Sequence, residues 1–504
     1  MNEHRRTVVN TAGPSYSSHG AHSRQALHLA RYRVLRIVVS ALVTLLVAAG
    51  YFMADINGVM PGPLTILPAG KTTSSISGSV RAAQSIADSV DLNKPIDKNA
   101  TESIINAFAA TPGLGGDFSL AIADSDGKIV DSRNADTPRE PASTMKTLTA
   151  LASSSTLDMG SSFHTDALLD PVPAGAGQKQ QQTTLTLKSD GDMLLGAGAS
   201  DPNHINGRAG LATLADQTVA QLKSKNISQV HLKYDDTIFG SVRSPAAIAS
   251  NNVGNTNFTG ISSMAVDGGR QWKGVEHDPD LYSAYPEMST TPAHDAAVVF
   301  GSLLAQRGIG VDGDVAGGKA AKNAKTIATV TSATLAEVMA FTLRHSDNTL
   351  IEEFGRLLAL KTGAGNSPEA ATQAVKSRLD KLGVDTANLH MADCSGLSEG
   401  SQLEVKTLVE VQSHNLKSGP GAAAGEGLSV PGFVGTAKNR LQDSSAAGLL
   451  RVKTGSLDQV TSMAGNVSRK NGGVLAFAVI VNKPQDYLAA RKAVDAFISA
   501  LAGL

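Results

Sequence analysis

Ser143 and Lys146 are three residues apart, the separation that puts two side chains on one face of a helical turn. A serine hydroxyl is a poor nucleophile until a neighbouring base takes its proton. A lysine partly removed from water can lose its charge and act as that base. Pro141 stands ahead of the pair, and Leu148, Leu151 and Ala152 follow it, so the turn opens a helix with an apolar side. The same S-x-x-K spelling occurs at Ser125-Asp126-Gly127-Lys128, where Asp-Gly reads as a hairpin turn and no chemistry is expected. Ser143 therefore depends on what else the chain supplies.

Two further groups qualify. Ser346-Asp347-Asn348 interrupts a helical pattern that runs through Leu335, Val338, Met339 and Thr342 and restarts at Leu350, Ile351, Phe354, Leu357 and Leu358. A polar loop between two packed helices is a rigid platform for side chains, although Asn348 also reads as an N-cap for the second helix. Lys453-Thr454-Gly455-Ser456 continues a strand from Leu449, with two more strands after it, Ser462 to Val467 and Val474 to Val481. Each group has look-alikes. Ser224-Lys225-Asn226, Ser250-Asn251-Asn252 and Ser413-His414-Asn415 are other S-x-N strings, read as solvated loops. Lys361-Thr362-Gly363 is another K-T-G, read as an ordinary helix C-terminus.

The elements that must position these groups fall in two textures. A short helix (Ile104, Ile105, Phe108), two strands (Phe118 to Ala123, Lys128 to Val130) and the Ser143 helix begin a layer. The C-terminal strands resume it, and a closing helix over 485–503 places Tyr487, Leu488, Val494, Phe497 and Leu501 on its apolar side. Between them, alternating runs such as Leu185-Thr186-Leu187 and Val230 to Tyr234 and a helical stripe over 293–306 predict an inserted β-rich domain at 165–330. The catalytic layer is then 99–164 plus 331–504.

The chain has 504 residues, 41% hydrophobic, enough for a large core in two or three domains. A net charge of −1 and 4% aromatic residues exclude the basic field and stacking platforms of a nucleic-acid binder. One cysteine, Cys394, excludes an intrachain disulfide and reads as a small packed residue. The 12 histidines are scattered, so no metal site and no cofactor are expected. Residues 1–36 form a basic leader with six arginines and one acid, and 37–54 run without a charge. That pattern predicts a membrane anchor with its N-terminal end in the cytoplasm, or a signal sequence cleaved near Val47-Ala48-Ala49. Either reading sends the remainder outside the cytoplasmic membrane, after a Pro/Gly/Ser-rich linker at 55–98.

S-x-x-K, S-D-N and K-T-G in this order resemble the penicillin-binding proteins and serine β-lactamases. The chain is most similar to the low-molecular-mass D-alanyl-D-alanine carboxypeptidase/endopeptidase family. Ser346 follows Ser143 by 203 positions, far more than a β-lactamase needs. Asp393-Cys394-Ser395-Gly396-Leu397-Ser398 resembles the D-G-S-G-L-S element of that family. Val430-Pro431-Gly432, Gly435-Thr436 and Arg440 resemble its approach to the third motif. Cys394, Glu399 and Ser401 depart from the Gly, Arg and Asn favoured there. The resemblance implies an α/β (α+β) transpeptidase fold, an antiparallel sheet flanked by helices. It implies Ser143 as nucleophile, Lys146 as base, and Ser346 and Asn348 as proton relay and substrate-amide ligand. It implies Lys453, Thr454, Gly455 and Ser456 as substrate-binding residues, with Lys453 lending positive charge, and an oxyanion hole from the N–H groups of Ser143 and Ser456. Asp393 either binds substrate or closes a turn. Peptidoglycan stem peptides are the implied substrate and β-lactam antibiotics the implied inhibitors. Release of the acyl group is expected to be slow, because no E-x-x-L-N element lies between Asn348 and Lys453. An inactive wall-binding protein and a β-lactamase are the alternatives.

Overall fold

The computed structural model describes residues 22–56, 91–92, 94–171, 183–282, 284–417, 419, 421–441 and 445–504. The chain forms two units, 1–88 and 89–504. In the first, α1 (His22–Ile56) contains Leu35–Met53, a stretch of mean hydropathy 2.1 with no buried residue, long and apolar enough to cross a membrane. The basic leader and the linker expected at 1–36 and 55–98 lie largely outside the described residues.

The second unit begins with α2 (Lys98–Ala109), capped by the Asp97 carboxylate on Asn99 N. β1 (Phe118–Ala123) and β2 (Ile129–Arg133) follow, joined by the tight turn predicted at Asp126-Gly127, where Gly127 has φ 89°. A 3₁₀ turn, Ala142–Met145, runs into α3 (Lys146–Ser154). Next come β3 (Ser162–Leu169), β4 (Thr184–Ser189), β5 (Asp192–Leu195), α4 (Leu211–Ser224), β6 (Gln229–Asp235), β7 (Met264–Val266), α5 (Pro292–Gln306), β8 (Gly310–Val311), β9 (Ala316–Gly317) and β10 (Lys325–Thr334). Helices α6 (Leu335–His345), α7 (Asn348–Thr362), α8 (Pro368–Lys381), α9 (Val405–Asn415) and α10 (Ala422–Glu426) lead to β11 (Leu450–Leu457), β12 (Val460–Ser468), β13 (Val474–Asn482) and α11 (Tyr487–Leu501).

Strands from both ends of the unit make one antiparallel sheet, ordered β11-β12-β13-β1-β2. Both faces are covered, which is why β13 reads as an unbroken apolar run. Leu475, Phe477, Val479 and Val481 join Phe108 and Phe497 of α2 and α11 on one face. Ala476, Ala478 and Ile480 face Leu148, Leu151 and Val409 of α3 and α9 on the other. The small residues on that second face bring α3, and the turn before it, close to the sheet. Each large aliphatic side chain buried this way contributes about 1.5–3 kcal/mol.

A second sheet, ordered β10-β3-β4-β6-β8 with β9 also paired to β6, occupies 162–334. Its β4/β6 pair is parallel, which requires a crossover. Helix α4 provides it, and α4 and α5 bury Leu214, Leu222, Phe300 and Leu304 with strand residues such as Leu187 and Leu232. The segment expected to be β-rich carries β3 to β10, with α4 and α5 packed on them. Two local expectations are corrected. Asn348 is the first residue of α7 rather than a loop residue, because Asp347 is the N-cap and accepts from Leu350 N at 2.9 Å. Leu488 is 65% exposed, since the buried stripe of α11 runs through Ala490, Val494, Phe497, Ile498 and Leu501. The second Lys-Thr-Gly ends α7 with Gly363 at φ 74°, a helix C-terminus as predicted.

Candidate active site

Lys146 is fully buried at the junction of the 3₁₀ turn and α3. Its Nζ lies 2.8 Å from Ser143 Oγ, 2.6 Å from Asn348 Oδ1 and 2.8 Å from Ser395 O. Three acceptors match the three N–H bonds of an ammonium. Once the proton is lost, two N–H bonds remain for the amide and carbonyl oxygens, and the lone pair is left for the Ser143 hydroxyl. Burial lowers the Lys146 pKa to about 8, against the opposing charges of Asp393, Asp347 and Glu352. Neutral lysine is therefore accessible near physiological pH.

The first and third motifs meet because Gly455 has no side chain. A Cβ there would collide with Ser462 Oγ and come within 2.8 Å of Pro141 O and 3.1 Å of Ser143 N. Ser462, opposite Gly455 on β12, donates to the same Pro141 carbonyl at 2.7 Å. β11 is the edge of its sheet. Val452 exchanges N–H and C=O bonds with Ser429 on the outer side, at 2.9 and 2.8 Å. By alternation, the backbone groups of Thr454 and Ser456 also point outward, beyond the end of that pairing. An open cleft of about 770 Å³ faces this edge, lined by Ser143, Ser346, Asn348, Thr454 and Ser456.

Lys453 does not line this cleft. It is fully buried, and its Nζ donates to Ser346 Oγ at 2.9 Å and to Thr454 O at 2.8 Å. Burial, and next the charge of Lys146, push its pKa well below the lysine range. Of the two routes open to Lys453, direct contact with the substrate carboxylate or an effect on its local field, burial leaves the second, since the amine meets the cleft through Ser346. Asp393 has two readings as well, and its contacts fit the turn. It is fully buried, with its carboxylate accepting from Ser395 N (2.9 Å), Ser395 Oγ (3.1 Å), Gly396 N and Ser398 N (2.7 Å). It closes the turn that presents Ser395 O to Lys146. Gly455 likewise acts by close approach, and Thr454 and Ser456 alone of the five expected substrate-binding residues line the cleft.

The departures from the resembled pattern find room. Cys394 Sγ lies over Gly355 of α7, where a Cβ would come within 2.5 Å, so a side chain replaces glycine without opening the turn. Ser401 Oγ accepts from Ala392 N at 3.1 Å and ties the same loop. Glu399 adjoins Glu140, whose pKa is raised by burial and next by the Glu399 charge.

Sequence reasoning missed much of the cleft. Ser250 and Asn251, read as a solvated look-alike, line it together with Asn257, Tyr285 and His345. Asn348 Nδ2 donates to Asn257 O and Asn251 Nδ2 to Leu397 O, both at 2.8 Å. No periodicity marks these loop residues. Thr436 and Arg440 also line it, and the resemblance had singled both out. Thr436 Oγ1 lies 2.7 Å from Thr454 Oγ1, and Arg440 is held by Asp495 at 2.6 Å. Among the described residues no group of acidic, histidine or cysteine side chains could hold a metal ion.

Known proteins are similar to this chain in sequence and in fold. A carboxypeptidase DacB of Mycolicibacterium smegmatis is 29% identical over 429 residues, covering 82% of this chain and 86% of the relative. A carboxypeptidase of Mycobacterium tuberculosis is 30% identical over 400 residues, covering 74% and 81%. The crystal structure of penicillin-binding protein 4 from Haemophilus influenzae superposes with a TM-score of 0.59 at 20% identity, over 80% of this chain and 99% of that one. The family model described as D-Ala-D-Ala carboxypeptidase 3 (S13) matches residues 101–281 and 283–501. That match runs from α2 into α11 and encloses the Ser143 turn, the Ser346–Asn348 junction and the β11 edge, so the chain belongs to the D-Ala-D-Ala carboxypeptidase 3 (S13) family.

Proposed function

We propose that this protein, a serine D-Ala-D-Ala carboxypeptidase, acts through an acyl-enzyme on Ser143. The observation that carries the reading is Lys146 Nζ, held within 2.8 Å of Ser143 Oγ by two other acceptors. Neutral Lys146 takes the hydroxyl proton as Ser143 Oγ bonds to the carbonyl carbon of the penultimate D-Ala. The N–H groups of Ser143 and Ser456 receive the oxyanion, where one donor is worth about 3–4 kcal/mol in comparable enzymes. The C–N bond breaks as Ser346, bonded to Lys453, gives its proton to the leaving amine of terminal D-Ala and takes in its place the proton that Lys146 holds. Water then adds to the ester carbonyl while neutral Lys146 takes its proton, the acyl C–Oγ bond breaks, and that proton returns to Ser143 Oγ. Asn348 and the outward backbone groups of Thr454 and Ser456 hold the stem peptide as an added strand.

A β-lactam amide would enter by the same route. A penicillin-binding protein 4 structure from Haemophilus influenzae, complexed with a β-lactam, has a TM-score of 0.56 to this chain. Residues 165–330 are read as an inserted domain and Leu35–Met53 as a membrane anchor that leaves the catalytic unit on the outer face. Fluorescent penicillin tests the reading: one adduct on the wild type, none on Ser143→Ala. A wild type without adduct, or an adduct that survives the substitution, overturns it. Free D-Ala or split cross-links, released from purified muropeptides, identifies the bond cut.

A further inference from the structure

The segment between the first and second motifs also enters the site from behind. Arg270 follows β7, and its Nη2 donates to Asp347 Oδ2 at 2.7 Å, 77 residues along the chain. The two side chains are 5% and 1% exposed. Tyr282 adds its hydroxyl to the same oxygen at 3.0 Å, and its ring lies 3.8 Å beneath the Arg270 guanidinium. The other Asp347 oxygen accepts from Leu350 N. The Asp347 carboxylate thus points away from the cleft with its donors supplied, while Ser346 and Asn348 on either side line the cleft.

Ser346 needs such support. It is left-handed (φ 56°, ψ 36°), a conformation that costs a non-glycine residue about 1–2 kcal/mol. It is also the whole C-cap of α6, with only Asp347 between it and α7. Residues held this way persist where surrounding contacts over-determine them. We propose that Arg270 is a positioning residue for acylation: by neutralising and gripping Asp347, it fixes the Ser346–Asn348 junction that Lys146 and Lys453 use. Burial pushes the Asp347 carboxyl up, yet Arg270, the Leu350 N–H and Tyr282 hold it below the usual aspartate range. The inference rests on the acyl-enzyme reading above.

The test is made on the full chain. Arg270→Met should lower penicillin acylation and kcat by about 100-fold, the size expected for roughly an ångström of misplacement, with a much smaller rise in KM because the β11 edge that shares the peptide with Asn348 is untouched. Adding Asp347→Asn removes the buried charge that Arg270 no longer meets, and should recover about tenfold. Arg208→Met breaks another link from the same segment to α6, at Glu337, and should change acylation by less than about threefold. If Arg270→Met yields no folded protein, Arg270→Lys is read instead and should lose about tenfold, since lysine keeps the charge without the planar fork. The proposal is overturned by acylation within about threefold of wild type, by a double variant no better than the single one, by a loss confined to KM, or by an equal loss in Arg208→Met. Wild-type labelling that depends on Ser143 stands apart from all of these outcomes, so failure here leaves the acyl-enzyme reading intact.

Discussion

On one side of the cleft, the Ser143 turn lies against β11 through backbone and an absent side chain. On the other, the loops at 250–259 and 267–282 meet α7 and its N-cap through hydrogen bonds that each use a polar side chain on one partner or both. The first side is close-packed: Gly455 leaves no room for a Cβ beside Pro141 O and Ser143 N. The second is bonded: Asn257 O to Asn348, Thr349 Oγ1 to Thr259 N at 3.0 Å, Arg270 to Asp347. Close packing tolerates no added atom, whereas a network of hydrogen bonds loses function in steps. Gly455→Val should therefore have the largest effect. The branched side chain meets Ser462 Oγ and then Pro141 O and Ser143 N, so the turn must give way; on the proposed mechanism an oxyanion donor and the nucleophile move together, for a loss of about 1000-fold in penicillin acylation. A variant that keeps more than a tenth of wild-type acylation would show that the two motifs are less tightly apposed.

The second difference is electrostatic. Lys146 on the packed side titrates near pH 8, whereas Asp347 on the bonded side is held below the usual aspartate range. The sign follows from the base role: as pH rises, Lys146 loses its proton and becomes competent. Acylation should climb about tenfold from pH 6 to 7 and flatten above about 8. A profile flat from pH 6 to 8 would remove Lys146 as the titrating base.

The packed side is also the side that was legible. A three-residue spacing, an apolar helix face and a run of alternating strands are local patterns, and they placed Ser143, Lys146 and Lys453. The burial of Asp393 and Lys453 was not legible, because a sequence shows a charge and not its surroundings. The bonded side depends on residues joined across 77 to 146 positions by single hydrogen bonds, from loops rich in Asn, Ser and Gly. Nothing periodic marks them. Helix α8 escaped for a different reason. Its buried face is largely alanine (Ala370, Ala371, Ala374) with Val375 and Leu379, which gives a weak apolar signal.

Asp393 ties the two differences together, because its turn carries Ser395 O to Lys146 and Leu397 O to Asn251. Asp393→Asn keeps the shape but weakens charge-assisted bonds to three backbone N–H groups, at a cost of about 1.5–3 kcal/mol in thermal or denaturant unfolding. The Asp393 charge raises the Lys146 pKa. Its removal should therefore move the acid limb of the acylation profile to lower pH, even as the maximal rate falls about tenfold. A limb that stays in place, or moves up, would mean that Asp393 acts on Lys146 through geometry alone.

The smallest effect belongs to Asn251, at the outer end of the bonded side. Its amide donates to Leu397 O at 2.8 Å and closes the cleft at a point away from the Lys146 contacts. Asn251→Ala removes one neutral hydrogen bond, worth about 0.5–1.5 kcal/mol, and leaves Asn257 O on Asn348. If the loop serves to hold the stem peptide rather than to align the reacting groups, the loss appears as a rise in KM of about threefold with kcat unchanged. A fall in kcat instead would place Asn251 with Arg270, acting on the junction at Ser346. The bonded side would then be a single cooperative unit rather than a set of separable contacts.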